Sequence, residues 1–264
     1  MSNTIALFRW SAMAWLAAYA FSILLLGDGA WISAPVQLSP RGGVLQAIGE
    51  LVFALPVPVC TGLVVCMLLL VACLAWKPRW HLGLVVWLLF RVVSHRMWLA
   101  SNGGVQLMEN MLLWLPLMHV RPGGAISTTA FRLARFQLLL AYAAAAAHKF
   151  TGSAWLDGTA VVLVATDAQF HLGWLLRMPW LCTVLTYAAL AWMTTFPFAL
   201  WWRGTRRPWL LIGVLFHIGT AVFMGIPQMG LAFIACYALW MQDDEAERII
   251  SWLRQRVRRS PMAA

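Results

Sequence analysis

Acidic residues are scarce in this chain, and charged residues of either sign are few. Its 264 residues include 9 Asp and Glu against 19 Lys and Arg, and charged residues make up 11% of the sequence. A soluble domain usually carries about 25% charged residues. Hydrophobic residues reach 62%, and apolar runs of membrane-spanning length recur throughout the chain. This composition excludes an ordinary soluble domain and predicts an all-α, polytopic membrane protein.

Several chemical signatures are also missing. The five cysteines lie within apolar runs, without a CxxC pair or a Cys/His spacing suited to a metal, so we expect no metal site. There is no phosphate-binding glycine loop and no nucleophile elbow. The net charge of +10 is compatible with nucleic-acid binding, but the arginines lie between apolar runs. That arrangement is typical of positive-inside orientation, so we predict no nucleic-acid partner.

Eight apolar runs predict a transmembrane helical bundle of about eight spans. They lie near residues 5–26, 51–76, 81–99, 105–119, 136–150, 178–202, 209–224 and 228–241. We expect the second to kink at Pro56 and Pro58 and the sixth to be interrupted at Pro197. Residues 1–242 form the predicted transmembrane domain, and residues 243–264 form a basic C-terminal helix at the cytoplasmic membrane surface.

The distribution of basic residues predicts the orientation of these spans. With both termini cytoplasmic, most arginines fall on the cytoplasmic side, in the loops near 77–79, 121–135 and 203–207 and in the tail. The opposite side receives chiefly Arg41, Lys149 and Arg177. Lys149 then lies on the non-cytoplasmic face, together with the turn at Asn102.

The stretch from Tyr142 to Ala160, YAAAAAHKFTGSAWLDGTA, is the predicted centre of function. Its five alanines allow neighbouring helices to approach closely, so we expect this face to pack against protein. Lys149 follows at the end of the span, where a desolvated lysine can serve as a base near neutral pH. The alternative is a lysine anchor that reaches the headgroups. Tyr142 precedes Lys149 by seven residues, shares its helix face and is a candidate substrate-binding residue.

A segment too short to span the membrane follows Lys149. Its apolar part, residues 160–165, is bounded by Asp157 and Asp167. We predict a re-entrant or interfacial helix here, with Asp157 as its N-cap. His148, Trp155 and Asp157 are candidate substrate-binding residues beside Lys149.

Polar residues inside the third and fourth spans suggest a second cluster. If the hairpin turns near Asn102, His95 and Arg96 lie level with Glu109 and Asn110. Pairing of Arg96 with Glu109 would offset the cost of burying either charge. Such a pair could hold two short helices together, line a cavity, or do both. Arg96, Glu109 and Asn110 are therefore candidate substrate-binding residues.

His217 lies in the middle of the seventh span. A mid-membrane histidine faces the bundle interior by default and is a candidate functional residue. The alternative is a hydrogen bond to a carbonyl of a neighbouring helix. Beside Lys149 as the base, His95 and His217 are the candidates for orienting substrate or relaying protons.

These motifs together resemble the HTTM proteins, the membrane domain shared with vitamin K-dependent gamma-carboxylase. In chain order they are Ile5-Ala6-Leu7-Phe8-Arg9, Ser94-His95-Arg96, Asn102-Gly103-Gly104, Tyr142 to Lys149 followed by Gly152, Trp155 and Asp157-Gly158-Thr159-Ala160, Phe196-Pro197, and Phe216-His217-Ile218-Gly219. The resemblance covers nearly the full length. It implies a quinol or other lipidic substrate in a membrane cavity open to the outer face. It assigns Lys149 as the base that acts on a reduced, vitamin K-like quinone.

The chain departs from the gamma-carboxylases in three ways. It ends soon after the eighth span, without the large soluble domain that binds the carboxylase's protein substrate. Thr194 and Thr195 stand where many relatives carry an acidic residue before Phe-Pro, and His148 takes the second basic position beside Lys149. The chain is more similar to stand-alone bacterial members, including those that help mature secreted peptide toxins of the sporulation-delaying kind with separate soluble partners.

Two hypotheses follow for a protein of the bacterial cytoplasmic (inner) membrane. The first is a carboxylase-like enzyme or enzyme subunit that modifies or matures a secreted peptide or protein. The second is a non-catalytic membrane maturation factor or scaffold for a secreted peptide toxin or partner protein. The expected partners are membrane lipid and a soluble partner subunit or secreted peptide substrate. A transporter is less favoured, because no inverted repeat is evident and the polar groups gather near one face.

Overall fold

The computed structural model describes residues 2–27, 44–97, 101–170 and 172–258. Within these ranges the chain forms helices and no strands. The α-helices are α1 (Ser2–Leu26), α2 (Val44–Phe53), α3 (Val57–Trp76), α4 (Trp80–Arg96), α5 (Gly103–Leu117), α6 (Ala125–Lys149), α7 (Ser153–Leu156), α8 (Ala160–Thr166), α9 (Pro179–Ala199), α10 (Arg203–Phe223), α11 (Pro227–Tyr237) and α12 (Asp243–Arg258). Short 3-10 helices precede α9 (Gly173–Arg177) and extend α11 (Ala238–Trp240).

Eight of these helices pack as an up-and-down bundle. Helices adjacent in sequence form the pairs α3–α4, α4–α5, α5–α6 and α10–α11. Helix α1 lies against α3 and α11, and α6 lies against α9. A contact between α5 and α11 closes the bundle. Short connections favour this antiparallel arrangement of neighbouring helices.

The two ends of the bundle are defined by what gathers there. At one end, called here the α12 end, α12 packs on α1, and the side chain of Asp243 accepts hydrogen bonds from the backbone N–H (3.0 Å) and hydroxyl (3.2 Å) of Thr4. At the opposite end, called here the Lys149 end, α6 stops and the short helices α7 and α8 follow. The chain reaches the Lys149 end again between α4 and α5 and between α10 and α11.

Three of the described helices are long and apolar enough to cross a membrane, namely α1, α3 and α9. Helices α4 and α5 have 17 and 15 residues, which is short for a span. Helices α6 and α10 are longer, with 25 and 21 residues, but arginines occupy their early turns. The structure therefore agrees with the prediction of a helical protein that has helices able to span a membrane.

Several predicted helix boundaries were wrong. Pro56 separates two helices, α2 and α3, instead of kinking one, because its ring cannot continue the helix that ends at Phe53. Pro197 leaves α9 intact to Ala199, since it falls in the last turn. Most of the predicted basic loop 121–135 is the start of α6. The predicted polar loop 28–43 lies outside the described residues.

Glycines set the closest approaches between helices. A Cβ on Gly104 of α5 would lie 2.4 Å from the Cα of Met229 and 2.8 Å from the carbonyl oxygen of Gln228, both on α11. Asn102 caps α5 immediately beside this contact, because its side-chain oxygen accepts from the N–H groups of Gly104 (3.0 Å) and Val105 (3.2 Å). The missing side chain therefore allows the α5 and α11 backbones to touch.

Gly104→Ala should destabilise the bundle by about 1–3 kcal/mol, because the methyl group meets backbone that cannot move aside. The neighbouring Gly103→Ala is the matched control, since its Cβ would meet only the Met229 sulfur at 4.0 Å. We expect the control to match the wild type or exceed it slightly. The apparent Tm of the purified protein in detergent measures both variants. Equal Tm values for Gly104→Ala and Gly103→Ala would contradict the proposed close contact.

Candidate functional site

A hydrogen-bonded cluster of two tyrosines and a histidine occupies the bundle core. The hydroxyl of Tyr142 on α6 lies 2.6 Å from Nε2 of His217 on α10 and 2.5 Å from the hydroxyl of Tyr237 on α11. All three side chains are buried, with 1%, 2% and 4% of their surface exposed. We call these residues the buried triad. His217 is thus partnered by a tyrosine hydroxyl, not by the helix carbonyl considered as the alternative.

Two glycines allow the triad to form. A Cβ on Gly213 would lie 2.3 Å from the Tyr237 hydroxyl oxygen, so only glycine leaves room for that hydroxyl beside α10. A Cβ on Gly230 would lie 2.3 Å from the His217 carbonyl oxygen, which brings the α10 and α11 backbones into contact. Gly213 lies one turn before His217 on α10, and Gly230 lies two turns before Tyr237 on α11. Each glycine therefore shares a helix with one triad residue and contacts the triad residue of the other helix.

Aromatic rings pack around the triad. The ring of Phe233 stacks on His217 with centroids 4.6 Å apart and planes 11° apart. Phe196 covers Tyr142 at 3.9 Å, and Trp192 meets Tyr142 edge-on at 5.3 Å. This shell excludes water, which strengthens the hydrogen bonds inside it.

The triad can pass a proton along its hydrogen bonds. A neutral imidazole has one nitrogen that accepts and one that donates, and each hydroxyl can do both. Among the described residues, Nδ1 of His217 is buried without a hydrogen-bond partner. The imidazole therefore has one nitrogen available to a group that the protein itself does not supply.

Lys149 lies at the end of α6, two turns beyond Tyr142. Seven residues at 1.5 Å each separate their levels by about 10 Å. The Lys149 ammonium lies over the Trp155 ring, 4.5 Å from its centroid, and the side chain is half-buried. Such a cation–π contact contributes about 0.5–2 kcal/mol, depending on how far the site is desolvated. The structure thus joins Lys149 with Trp155, as expected from their spacing.

The segment after Lys149 folds back on α9. The Tyr187 hydroxyl on α9 donates to the Leu156 carbonyl at 3.0 Å. Gly158 has a positive φ of 81°, and its Cβ would lie 2.9 to 3.1 Å from atoms of Thr183 and Tyr187. Only glycine satisfies both demands at this turn. The predicted short helix is present as α8, whose seven residues span about 10 Å.

Asp157 does not occupy the predicted N-cap of α8. Thr159 holds that position, and the Asp157 carboxylate accepts from the Thr159 N–H at 3.0 Å and from its hydroxyl at 2.5 Å. Asp157 therefore closes the turn before the helix, because its side chain reaches two residues ahead. Its exposed carboxylate lies in the same short segment as Trp155.

The alanine face of α6 is mostly exposed. Ala146 is buried, but Ala143, Ala144 and Ala147 are not covered by other helices, and His148 beside them is also exposed. The expectation that this face packs against protein within the chain was wrong. The α6 face that packs inward carries Leu138, Leu139 and Tyr142 instead.

Glu109 has partners that the hairpin register did not predict. Its carboxylate pairs with Arg91 and accepts a hydrogen bond from the Ser94 hydroxyl at 2.6 Å. The indole N–H of Trp87 donates to its carbonyl at 2.9 Å. The basic partner of Glu109 therefore lies in α4, about one helical turn earlier than Arg96.

The other predicted members of this cluster face elsewhere. Arg96 is buried with its guanidinium 5.4 Å from the Phe53 ring centroid, and the His95 ring lies 5.4 Å from the same ring. Nε2 of His95 is buried without a partner among the described residues. Asn110 is exposed and donates to the Gln106 carbonyl within α5 at 3.3 Å. The hairpin residues therefore contact α2, α4 and α5, whereas the triad joins α6, α10 and α11.

Three residues at these sites were not predicted from the sequence, namely Tyr237, Arg91 and Ser94. Tyr237 stands in an apolar run, where only the glycines at 213 and 230 hint at close packing. Arg91 and Ser94 lie one turn or less from the predicted pair, so a hairpin centred two residues earlier would have found them. Within the described ranges, no three His, Cys, Asp or Glu side chains lie close enough to hold a metal ion.

Tyr142→Phe should destabilise the protein by about 1–3 kcal/mol, because it leaves the His217 nitrogen and the Tyr237 hydroxyl without their partner. Tyr19→Phe is the control, since the Tyr19 ring stacks on Trp15 at 5.3 Å and its hydroxyl has no hydrogen bond among the described residues. The control should change stability by less than about 0.5 kcal/mol.

A double-mutant cycle of Tyr142→Phe with Tyr237→Phe tests whether the triad acts as a unit. We expect a coupling of about 0.5–3 kcal/mol from apparent unfolding free energies. Additive effects would show that the two hydroxyls do not bond.

Comparison of the chain with protein-family models, with curated proteins and with solved structures finds no significant match.

Proposed function

We propose that the bundle spans the bacterial cytoplasmic membrane eight times, with the α12 end cytoplasmic. The proposed spans are α1, α3, α4, α5, α6, α9, α10 and α11 with its 3-10 extension. Their alternating direction supports this count, because each connection lies at one end of the bundle and the next helix runs back to the other end. The arginines of α12 and of the start of α10 lie at the α12 end, as positive-inside orientation requires.

The proposed function is that of a membrane enzyme, or enzyme subunit, with Lys149 as general base. The substrate is a reduced quinone or another lipid-borne molecule at the outer face, and the reaction serves modification or maturation of a secreted peptide or protein. The observation that carries this proposal is the position of Lys149, half-buried against Trp155 two turns above the buried triad. The motif resemblance to HTTM proteins and gamma-carboxylases supplies the substrate class.

The residues at the Lys149 end suit a planar phenolic substrate. Trp155 presents a flat ring beside the amine, and the exposed apolar side chains of Phe150 and Leu156 flank it. A quinol bound there would give its hydroxyl proton to the amine, and dioxygen would take its two electrons. To accept that proton Lys149 must be uncharged. The contact with Trp155 favours the ammonium, so the bound substrate itself has to cover the amine and exclude water from it.

The buried triad lies below this position and supports it in two ways. It fixes α6 against α10 and α11, so the Lys149 backbone has a set height and direction. Its three groups can also carry a proton between the unpartnered nitrogen of His217 and Tyr237. His217 therefore acts as a relay or positioning residue in this proposal. His95 serves the same purpose for the hairpin, where Arg96, Glu109 and Asn110 remain proposed substrate contacts.

The exposed face of α6 favours a second candidate function. Ala143, Ala144 and Ala147 leave a smooth helix face beside His148, and small residues are what an interacting transmembrane helix prefers. The protein would then be a non-catalytic maturation factor or scaffold that binds a secreted peptide or partner protein in the membrane. In that case Lys149 supplies only a positive charge.

Lys149→Ala should reduce turnover at least a hundredfold, the lower range for loss of a general base. Lys149→Arg should be equally inactive, because arginine keeps its proton. Arg177→Gln is the control, since Arg177 is an exposed cation at the same end. The measurement is oxidation of a reduced naphthoquinone by membranes that contain the protein with its peptide partner, alongside the yield and elution profile of each variant.

The two functions give different outcomes for these variants. An enzyme loses activity in both Lys149 variants and retains it in Arg177→Gln. A scaffold matures its peptide normally with Lys149→Arg and fails only with Lys149→Ala. Full activity in folded Lys149→Ala would contradict both roles and leave Lys149 as a membrane anchor.

A further inference from the structure

A groove runs along the outside of the bundle between α1, α10 and α11. Its volume is about 600 Å³, within the range of small-molecule sites. Apolar residues form most of its wall, including Ala14, Ala18, Leu211 and Leu231. Arg207 and Glu245 stand at one end of it, at the α12 end of the bundle. We call it the α1–α10–α11 groove.

The polar groups in the wall are already hydrogen-bonded within the protein. The Ser11 hydroxyl lies 3.0 Å from the carbonyl oxygens of Leu7 and Phe8, and the Trp15 indole N–H donates to the Gln228 carbonyl at 2.8 Å. The Tyr237 hydroxyl is hydrogen-bonded to the Tyr142 hydroxyl. These side chains therefore already use their hydrogen-bond donors within the protein, and the mostly apolar wall suits a hydrocarbon chain.

The length of the groove matches one leaflet of a bilayer. On α1 it extends from Leu7 to Ala18, which corresponds to about 15 Å at 1.5 Å per residue. Opposite, it extends from Leu231 on α11 past the 3-10 helix to Met241. The hydrocarbon core of a bilayer is about 30 Å thick, so one leaflet contributes half of that. A molecule in the groove thus reaches from the headgroup level to the middle of the membrane.

The width of the groove is too small for a helix. Its volume spread over about 15 Å gives a mean cross-section of about 40 Å². A helix with side chains is about 10 Å wide, which corresponds to about 80 Å². A partner helix would therefore rest on the rim, whereas acyl chains fit inside.

The charged end of the groove suits a phosphate. The Nε–H of Arg207 donates to the Glu245 carboxylate at 2.5 Å, and the Arg207 side chain is 65% exposed. A guanidinium has five N–H donors, so its terminal nitrogens remain available for a bidentate contact. Glu245 also accepts from the Gln242 N–H at 2.8 Å, so α12 holds the carboxylate that orients Arg207.

We propose that the α1–α10–α11 groove binds one phospholipid of the leaflet at the α12 end. Its phosphate contacts the terminal nitrogens of Arg207, and its acyl chains lie along Ala14 and Ala18. This inference rests on the proposed membrane embedding of the bundle, but it does not depend on the reaction at Lys149. The lipid would couple the position of α12 to the packing of α10 and α11, the two helices that carry His217 and Tyr237.

Native mass spectrometry tests the proposal. The protein is reconstituted in vesicles of equal parts phosphatidylethanolamine and phosphatidylglycerol and then extracted into detergent. The mass of the protein with its bound lipid is then measured. The wild type should retain one phospholipid. Ala14→Phe with Ala18→Phe should lower its occupancy at least tenfold, because the new rings fill the groove. Arg207→Gln should lower the affinity about tenfold or more, the effect of losing a charged hydrogen bond.

Matched variants separate this site from general lipid binding. Ala72→Phe places the same ring on the exposed face of α3, and Arg203→Gln removes an exposed cation near Arg207 that does not line the groove. Both should retain the lipid, as should Lys149→Ala, so failure of the catalytic proposal would not affect this result. An unchanged elution profile verifies folding.

Three results would overturn the proposal. The first is a wild type that retains no phospholipid, and the second is undiminished retention in the Ala14→Phe, Ala18→Phe double variant. The third is a different occupant, such as a lipid without phosphate, a second copy of the chain or a partner protein, displaced by the same two substitutions.

Discussion

A hydroxyl or imidazole inside a bilayer has no water to bond with, so each must find its partner within the protein. If the bundle spans the membrane as proposed, the buried triad meets this demand for two hydroxyls and for Nε2 of His217. Tyr142, His217 and Tyr237 come from α6, α10 and α11, and their hydrogen bonds of 2.5 and 2.6 Å form only if all three helices keep their spacing. Removing the Tyr142 hydroxyl leaves both His217 and Tyr237 without this partner, and an unsatisfied buried group costs more than the bond itself contributes. The relative position of these helices is thereby fixed.

This constraint explains why glycine and aromatic residues surround the triad. Gly213 and Gly230 remove the side chains that would hold α10 and α11 apart, and Phe233 fills the space beside the imidazole. In a membrane, helix association depends on such close packing, because lipid is as apolar as the helix surface and gives no hydrophobic drive. The same helices form one wall of the groove that ends at Arg207. The polar core and the wall of the groove therefore share the helices α10 and α11.

The sequence predicted the helical class, most of the long helices and the burial of His217 in the bundle interior, because apolar runs and mid-span polar residues follow directly from bilayer physics. It also predicted that Lys149 and Trp155 lie together. It failed where a result depends on rotation or register. The Glu109 partner was misjudged by one turn, since the exact turn of a hairpin is not visible in composition. The alanines of α6 were assigned inward, although Tyr142 on the opposite side determines which face is buried. Tyr237 could not be found, because a tyrosine in an apolar run looks the same whether or not it bonds.

The position of Lys149 remains the feature that needs most explanation. A lysine at a helix end can ordinarily extend its long chain to the headgroups, at little cost. Here α7 begins four residues after Lys149, and the Trp155 ring on α7 contacts the amine. The turn at Gly158 and the hydrogen bond from Tyr187 to Leu156 hold α7 against α9, which fixes the position of the Trp155 ring. An anchor needs none of these contacts. A base does, because proton transfer requires the amine at hydrogen-bonding distance from one atom of a substrate. The contacts that hold α7 against α9 therefore favour the proposed role of Lys149 as a base over that of a membrane anchor.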